Sequence, residues 1–215
     1  MQPHQQDFLE LALTHQVLRF GQFTLKSGRI SPYFFNLGQI SSGAALHRLA
    51  GGYAATLQQA GLAFDALFGP AYKGIPLAAA VAMALAEAGQ DVPFAYNRKE
   101  AKDHGEGGVI VGHPLQGRVL IIDDVISAGT SVRESVEIIR QENAEPAGVV
   151  IALDRQERGQ GDKSAVQDVE QVMGIPVAAI ARLQHLIQFI EASEEFREWL
   201  TPISNYRQQY GIRDD

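Results

Sequence analysis

Residues 119–131, Val-Leu-Ile-Ile-Asp-Asp-Val-Ile-Ser-Ala-Gly-Thr-Ser, constrain this chain more than any other stretch. Val119-Leu120-Ile121-Ile122 is an unbroken apolar run rich in β-branched residues. That pattern fits a strand buried on both faces, as in a parallel sheet. Asp123 and Asp124 follow where such a strand would emerge into solvent, and a loop of small and hydroxylated residues comes next. Ser131 followed by Glu134 fits a capping box, with Val132, Val136, Ile138 and Ile139 as the apolar face of a helix behind it. Such a strand–loop–helix unit suits a sugar phosphate. Backbone N–H groups, hydroxyls and the positive end of the helix dipole can take the phosphate, and Gly129 lets the backbone approach it. Asp123 and Asp124 can accept hydrogen bonds from vicinal sugar hydroxyls or hold a divalent cation.

Around this unit the pattern alternates. Phe64 to Gly69, Val92 to Asn97, Val119 to Asp123, Val149 to Asp154 and Pro176 to Ile180 read as strands. Pro76 to Ala88, Val132 to Asn143, Ser164 to Met173 and the stretch to about Leu200 read as helices, and a long charged loop runs from Asn97 to Gly108. The spacing predicts an α/β fold, a five-stranded, mainly parallel sheet flanked by helices. Before it, Gln5 to Arg19 is patterned as a helix, and Phe23 to Asn36 as a hairpin turning at Ser27-Gly28-Arg29. Pro32 makes its second arm an edge strand. Ser42 to Gln59 reads as a further helix closed by Gly61. The expected organisation is one domain over 1–215. A small N-terminal hood comes mainly from 1–40 with part of 154–172, and the core spans about 41–200.

Composition excludes several classes. Eighteen Lys and Arg against twenty-five Asp and Glu leave −7, a poor balance for a nucleic-acid binder, so any basic site must be local. There is no cysteine, which removes disulfides, thiolate metal sites and a cysteine nucleophile and suits the cytoplasm. The longest apolar run, Leu77 to Ala86, is too short to span a bilayer. Asp7 and Glu10, with no basic segment before them, argue against a signal peptide.

Ligands of open parallel sheets bind beyond the carboxyl ends of the strands, and the unusual residues gather at those ends. Gly69-Pro70-Ala71-Tyr72-Lys73-Gly74-Ile75-Pro76 is a tight loop entering a helix N-terminus with a lysine aboard. It is a second arrangement for an anion, although alone it also fits a Pro/Gly turn with a solvated lysine. Residues 98–108, Arg-Lys-Glu-Ala-Lys-Asp-His-Gly-Glu-Gly-Gly, combine Arg98, Lys99, Lys102 and His104 with three glycines. A basic loop of that kind can close over an anion and exclude water. Lys26, the Phe34-Phe35 pair and Arg155 suit a planar, carboxylated partner, though each also has an ordinary structural explanation. The Lys of a Walker A loop and the Gly-x-Gly-x-x-Gly of a dinucleotide site are both missing from the 119–131 unit.

In its motifs the chain resembles the type I phosphoribosyltransferases, and within them the orotate phosphoribosyltransferases in their bacterial homodimeric form. The residues carrying the resemblance are Thr24 to Arg29, Tyr33 to Asn36, Gly69 to Pro76, Asn97 to Gly108, 119–131 and Asp154-Arg155, in family order. Ser127 stands where a threonine is frequent, and keeps the hydroxyl. The resemblance implies transfer of the phosphoribosyl group of phosphoribosyl pyrophosphate (PRPP) to orotate, with Mg²⁺, in pyrimidine nucleotide synthesis. It also implies a cis peptide bond at Ala71–Tyr72. Lys26, Tyr72, Lys73, Arg98, Lys99, Lys102 and His104 would handle PRPP or its pyrophosphate. Asp123 and Asp124 would meet the ribose, and Val125, Ile126, Ser127, Ala128, Gly129, Thr130 and Ser131 the 5′-phosphate. Phe34, Phe35, Ser127 and Arg155 would line the orotate site.

By the same resemblance, Lys102, His104, Lys73 and Asp124 carry the catalysis. Mg²⁺ is held mainly through PRPP, with Asp123 and Asp124 reaching it through water, and the 98–108 loop completes the site of a second subunit. Two rivals remain at this stage. A purine or uracil transferase would lack a use for Lys26 and Arg155. A PRPP-binding regulator would want a basic face or an added DNA-binding domain.

Overall fold

The computed structural model describes residues 1–25, 27–100, 109–159 and 161–212, and the backbone alone at 101, 102 and 108. Five predicted strands are present with shifted ends: β3 (Ala66–Gly69), β4 (Phe94–Lys102), β6 (Arg118–Ile122), β7 (Glu145–Asp154) and β8 (Val177–Arg182). A sixth, β5 (Gly108–Gly112), corrects the five-stranded expectation. The order is β5-β4-β3-β6-β7-β8, with β5 antiparallel to β4 and every other pairing parallel. The polar stretch after Asn97, read as loop, continues β4 to Lys102. At this edge of the sheet Lys99 and Glu100 are exposed, so the strand carries no buried face to mark it in the sequence.

Alternation along β6 fixes the layers. Leu120 and Ile122 join one core with α2 (Gly43–Ala60) and α3 (Gly74–Glu87), through Tyr53, Leu57, Leu77 and Val81. Val119 and Ile121 join the other with α4 (Thr130–Gln141), through Val132, Val136 and Ile139. All four strand residues are fully buried. At about 1.5–3 kcal/mol for each such side chain, β6 is firmly anchored, and its carboxyl end is a rigid place to mount a site.

Several helix boundaries differ from expectation, with α3 starting at Gly74 and the last helix running to Tyr210. The first helix, α1 (Pro3–Thr14), ends before Arg19 because Gln16 adopts φ 55° and the chain turns into β1 (Leu18–Thr24). The β1 strand pairs antiparallel with β2 (Ile30–Phe35) in a separate small sheet. That sheet is tied to distant chain. Arg29 donates to the carbonyls of Arg158 (2.8 Å) and Gly159 (3.1 Å), and Tyr33 donates to Glu157 (3.1 Å). As predicted, α2 begins at Ser42, whose Oγ accepts from Ala45 N, and ends at left-handed Gly61. The remaining helices are the short α5 (Ala165–Asp168), running into a π-helical turn, then α6 (Leu183–Glu191) and α7 (Leu200–Tyr210). Among the described residues no helix is long and apolar enough to cross a membrane.

Candidate active site

The two loops singled out from sequence leave adjacent strands, because β3 and β6 are paired neighbours running parallel. The β3 loop is packed backbone against backbone. A Cβ on Gly69 would lie 2.2 Å from the Gly74 carbonyl oxygen. One on Gly74 would lie 2.5 Å from Pro70 Cδ and 2.9 Å from the Ile122 carbonyl oxygen. Glycine is therefore required at both positions, and the N-terminus of α3 is seated on the end of β6. The Ala71–Tyr72 peptide bond is cis. Ala71 N donates to Asn97 Oδ1 on β4 (2.8 Å), which ties the loop to its other neighbouring strand. Tyr72 is 70% exposed, and Lys99 Nζ lies 5.4 Å from its ring centroid.

At the end of β6 the acidic pair is buried, Asp123 at 6% and Asp124 at 7% exposure. Asp123 Oδ1 accepts from Asp124 N (2.8 Å) and Oδ2 from the Ser131 hydroxyl (3.0 Å), while Tyr53 OH donates to the Asp123 carbonyl (2.8 Å). Asp124 Oδ1 accepts from Val125 N (2.9 Å) and Oδ2 from Lys73 Nζ (2.6 Å). The last contact joins the two loops directly. Burial pushes the Asp123 carboxyl up to about 6; its bond from the Asp124 amide works against that, and the nearby Asp124 charge adds to it. Each of the four carboxylate oxygens already accepts a hydrogen bond. Each keeps a second lone pair, so a divalent cation would be met beside the pair directly or, as suits a small cation that dehydrates reluctantly, through water.

The predicted capping box does not form. The Ser131 hydroxyl is turned to Asp123, and α4 begins two residues earlier than that box requires, behind Gly129 in the left-handed conformation (φ 71°). Among the described residues no side chain caps this helix. Its first N–H groups and the positive end of its dipole face the loop. Val125 to Val132 line a pocket of about 260 Å³ there. Against the roughly 30 Å³ that one water occupies in the liquid, this is room for a phosphate group and its immediate surroundings.

The base-site candidates are more dispersed. Phe34 and Phe35 are neighbours in a strand and point to opposite faces. Phe35 packs on Phe8 (6.2 Å between centroids) and the main core, whereas Phe34 meets Phe23 (5.4 Å) and lies under the Arg19 guanidinium (5.3 Å). Arg155, just past the end of β7, lies over the Tyr33 ring (4.2 Å), donates through Nε to Glu157 Oε1 (2.9 Å) and through Nη2 to Ser31 Oγ (3.2 Å). Ser127 lines the pocket at α4. Lys26, His104 and the Lys102 side chain fall outside the described residues.

Sequence reasoning missed three partners: the Lys73–Asp124 contact, the Asn97 brace under Ala71, and Tyr53 behind Asp123. Asn97, polar at the end of an apolar strand, was the one visible signal. Tyr53 sits in an Ala-rich helix with nothing to distinguish it.

Comparison with known proteins agrees with this geometry. A family model described as the phosphoribosyl transferase domain matches residues 36–187. An orotate phosphoribosyltransferase of Laribacter hongkongensis is 63% identical over 213 residues, 99% of this chain and all of that protein. One of Chromobacterium violaceum is 63% identical over 214 residues, the full length of both. The crystal structure of the Francisella tularensis orotate phosphoribosyltransferase superposes with a TM-score of 0.85 at 44% identity, covering 95% of this chain and 98% of that one. With two anion-ready loops on adjacent strands around a buried acidic pair, and with relatives matching end to end, this chain belongs to the orotate phosphoribosyltransferase family.

Proposed function

We infer that this chain transfers the phosphoribosyl group of PRPP to orotate, giving orotidine 5′-monophosphate and pyrophosphate in pyrimidine nucleotide synthesis. The observation that carries the reading is the 2.6 Å contact between Lys73 and Asp124. A ribose whose hydroxyls meet Asp123 and Asp124 carries its C1 pyrophosphate next to those hydroxyls, and so onto Lys73. Its 5′-phosphate, at the other end of the sugar, reaches the N–H groups and hydroxyls of Val125 to Ser131.

In the reaction the C1–oxygen bond to pyrophosphate breaks and a bond from orotate N1 to C1 forms. Positive charge develops on the sugar and negative charge on the leaving oxygens. Preorganised cations at the leaving group are therefore the main requirement. Lys73, Lys99 and Arg98 are the candidates from the β3 loop and β4, joined by Lys26 and by Lys102 and His104 of the 98–108 loop. Mg²⁺, when bound, neutralises charge on the pyrophosphate; the water-mediated fit beside Asp123 and Asp124 supports that role. Arg155 and Phe34 serve the base, with Phe35 as support and Ser127 at the phosphate end. In this reading the enzyme is a cytoplasmic homodimer, and the 98–108 loop of each subunit completes the other's site.

The test is the loss of orotate absorbance on adding PRPP and Mg²⁺, with uracil, adenine and hypoxanthine as competing bases. Orotate is expected to react and the others not; an inert orotate beside a reacting purine would overturn the substrate. Lys102→Ala and His104→Ala should each lower kcat roughly 10²–10³-fold, and wild-type turnover in both would remove the loop from catalysis.

A further inference from the structure

Glu157 belongs to none of the motifs above, yet it is the centre of a buried polar cluster. Its Oε1 accepts from Arg155 Nε (2.9 Å) and from the Tyr33 hydroxyl (3.1 Å), with Arg155 Nη2 at 2.7 Å. Its Oε2 accepts from the Tyr206 hydroxyl of α7 (3.2 Å). The Arg155 and Glu157 side chains are only 21% and 13% exposed. Ser31 Oγ takes a further bond from Arg155 Nη2, and Tyr33, fully buried, lies flat beneath the guanidinium. Glu157, Ser31, Tyr33 and Tyr206 thus all hold the Arg155 guanidinium.

A guanidinium held in this way has lost most of its rotamer freedom before any ligand arrives, and its planar fork is aimed. The Glu157 carboxylate also offsets its charge. Binding to Arg155 then depends on direction more than on net attraction, which favours one planar carboxylated base over the phosphates nearby. We propose that Glu157 is a positioning residue for base recognition: with Tyr33 and Tyr206 it fixes the Arg155 guanidinium in the orientation that receives orotate. The last helix thereby takes part in choosing the base. This rests on the reading of Arg155 as a base-binding residue.

The experiment measures KM for orotate, KM for PRPP and kcat in Arg155→Ala, Glu157→Ala, Glu157→Gln and Tyr206→Phe, and in the double variant Arg155→Ala/Glu157→Ala. Glu157→Ala should raise the orotate KM roughly 10- to 100-fold, the scale of a misplaced positioning group. The PRPP KM and the kcat at saturating orotate should stay at parent values. Glu157→Gln keeps an acceptor and should recover most of the loss. Tyr206→Phe removes one oxygen while keeping the ring, so it reports even where Glu157→Ala fails to fold, and should move the orotate KM in the same direction by less. In the double variant Glu157→Ala should add nothing to Arg155→Ala. An orotate KM unchanged in Arg155→Ala would overturn the base-site reading itself. A raised KM there with none in Glu157→Ala or Tyr206→Phe, or additive effects in the double variant, would overturn the positioning role alone.

Discussion

The loops after β3 and β6 do the same kind of work by opposite means. Both carry the chain from a parallel strand to a helix N-terminus at the carboxyl end of the sheet. The β3 loop presents side chains: exposed Tyr72 and Lys73 project from a backbone packed too tightly for a Cβ at Gly69 or Gly74. The β6 loop presents backbone. Its own charged side chains, Asp123 and Asp124, are buried at its base and hold its shape. One loop is rigid so that its side chains can reach out, while in the other buried side chains keep the main chain open. A defect in the first should therefore act through sterics or charge, and a defect in the second through conformation and pH.

The largest effect should come from Gly74→Ala. Its new Cβ would meet Pro70, the Gly69 carbonyl carbon and the Ile122 carbonyl oxygen, all within 2.9 Å. Overpacking against backbone on that scale should cost about 3 kcal/mol or more, read as a lower urea midpoint together with lost turnover. Lys73→Ala should leave a folded protein, checked by its melting curve, and lower kcat/KM roughly 10²–10³-fold. A loss that came entirely from a raised orotate KM would mean that Lys73 does not serve the pyrophosphate.

Asp123→Asn separates function from stability in the other loop. The folded state holds the Asp123 proton more tightly than the unfolded chain, with a pKa of about 6 against 3.8. The associated stability is thus fully present below the lower value and is lost as pH rises through the upper one. Above that window the buried charge costs on the order of 1–3 kcal/mol. The Asn variant should melt above the parent at pH 8, show no such advantage at pH 4, and bind PRPP more weakly. A parent-like melting curve at both pH values would mean that Asp123 is not strained by its burial. The smallest effect belongs to Gly129→Ala. Its Cβ would meet only Val169 Cγ2, at 3.7 Å, so the cost is the left-handed backbone alone, about 1–2 kcal/mol. If Gly129→Ala were as damaging as Gly74→Ala, the contrast between a packed loop and an open one would fail.

Periodicity made the parallel sheet and the acidic strand end legible, because burial on both faces writes an unbroken apolar run such as Val119–Ile122. It did not reveal β5. Gly-Val-Ile-Val-Gly is short, and β4 beyond Asn97 begins Arg-Lys-Glu, with Lys99 and Glu100 exposed, as a loop would be. Gly112, at φ 99° with a Cβ position only 2.6 Å from the Phe94 carbonyl oxygen, looks in sequence like a loop glycine, yet serves strand pairing. The end of α1 was hidden because Val17 and Leu18 fit helical spacing as well as they fit the start of β1. The capping box failed for a related reason: Ser131 can bond its own helix or Asp123, and only the folded arrangement decides which. Most of the candidate PRPP residues were legible as motifs. The Glu157 cluster was not, since its members lie at residues 31–33, 155–157 and 206 and follow no local pattern.

The bond between Lys73 and Asp124 has a consequence for selectivity. Each is the other's stand-in. The lysine occupies the place of the donor that a sugar hydroxyl would offer, and the carboxylate that of the anion a pyrophosphate would bring. A free phosphate competing for Lys73 must strand a buried aspartate, and a bare sugar competing for Asp124 must leave the lysine without its anion. If the proposed PRPP site is correct, only a molecule carrying both groups at adjoining positions would satisfy the two at once, and the pair would screen incoming ligands for the whole of PRPP against its fragments.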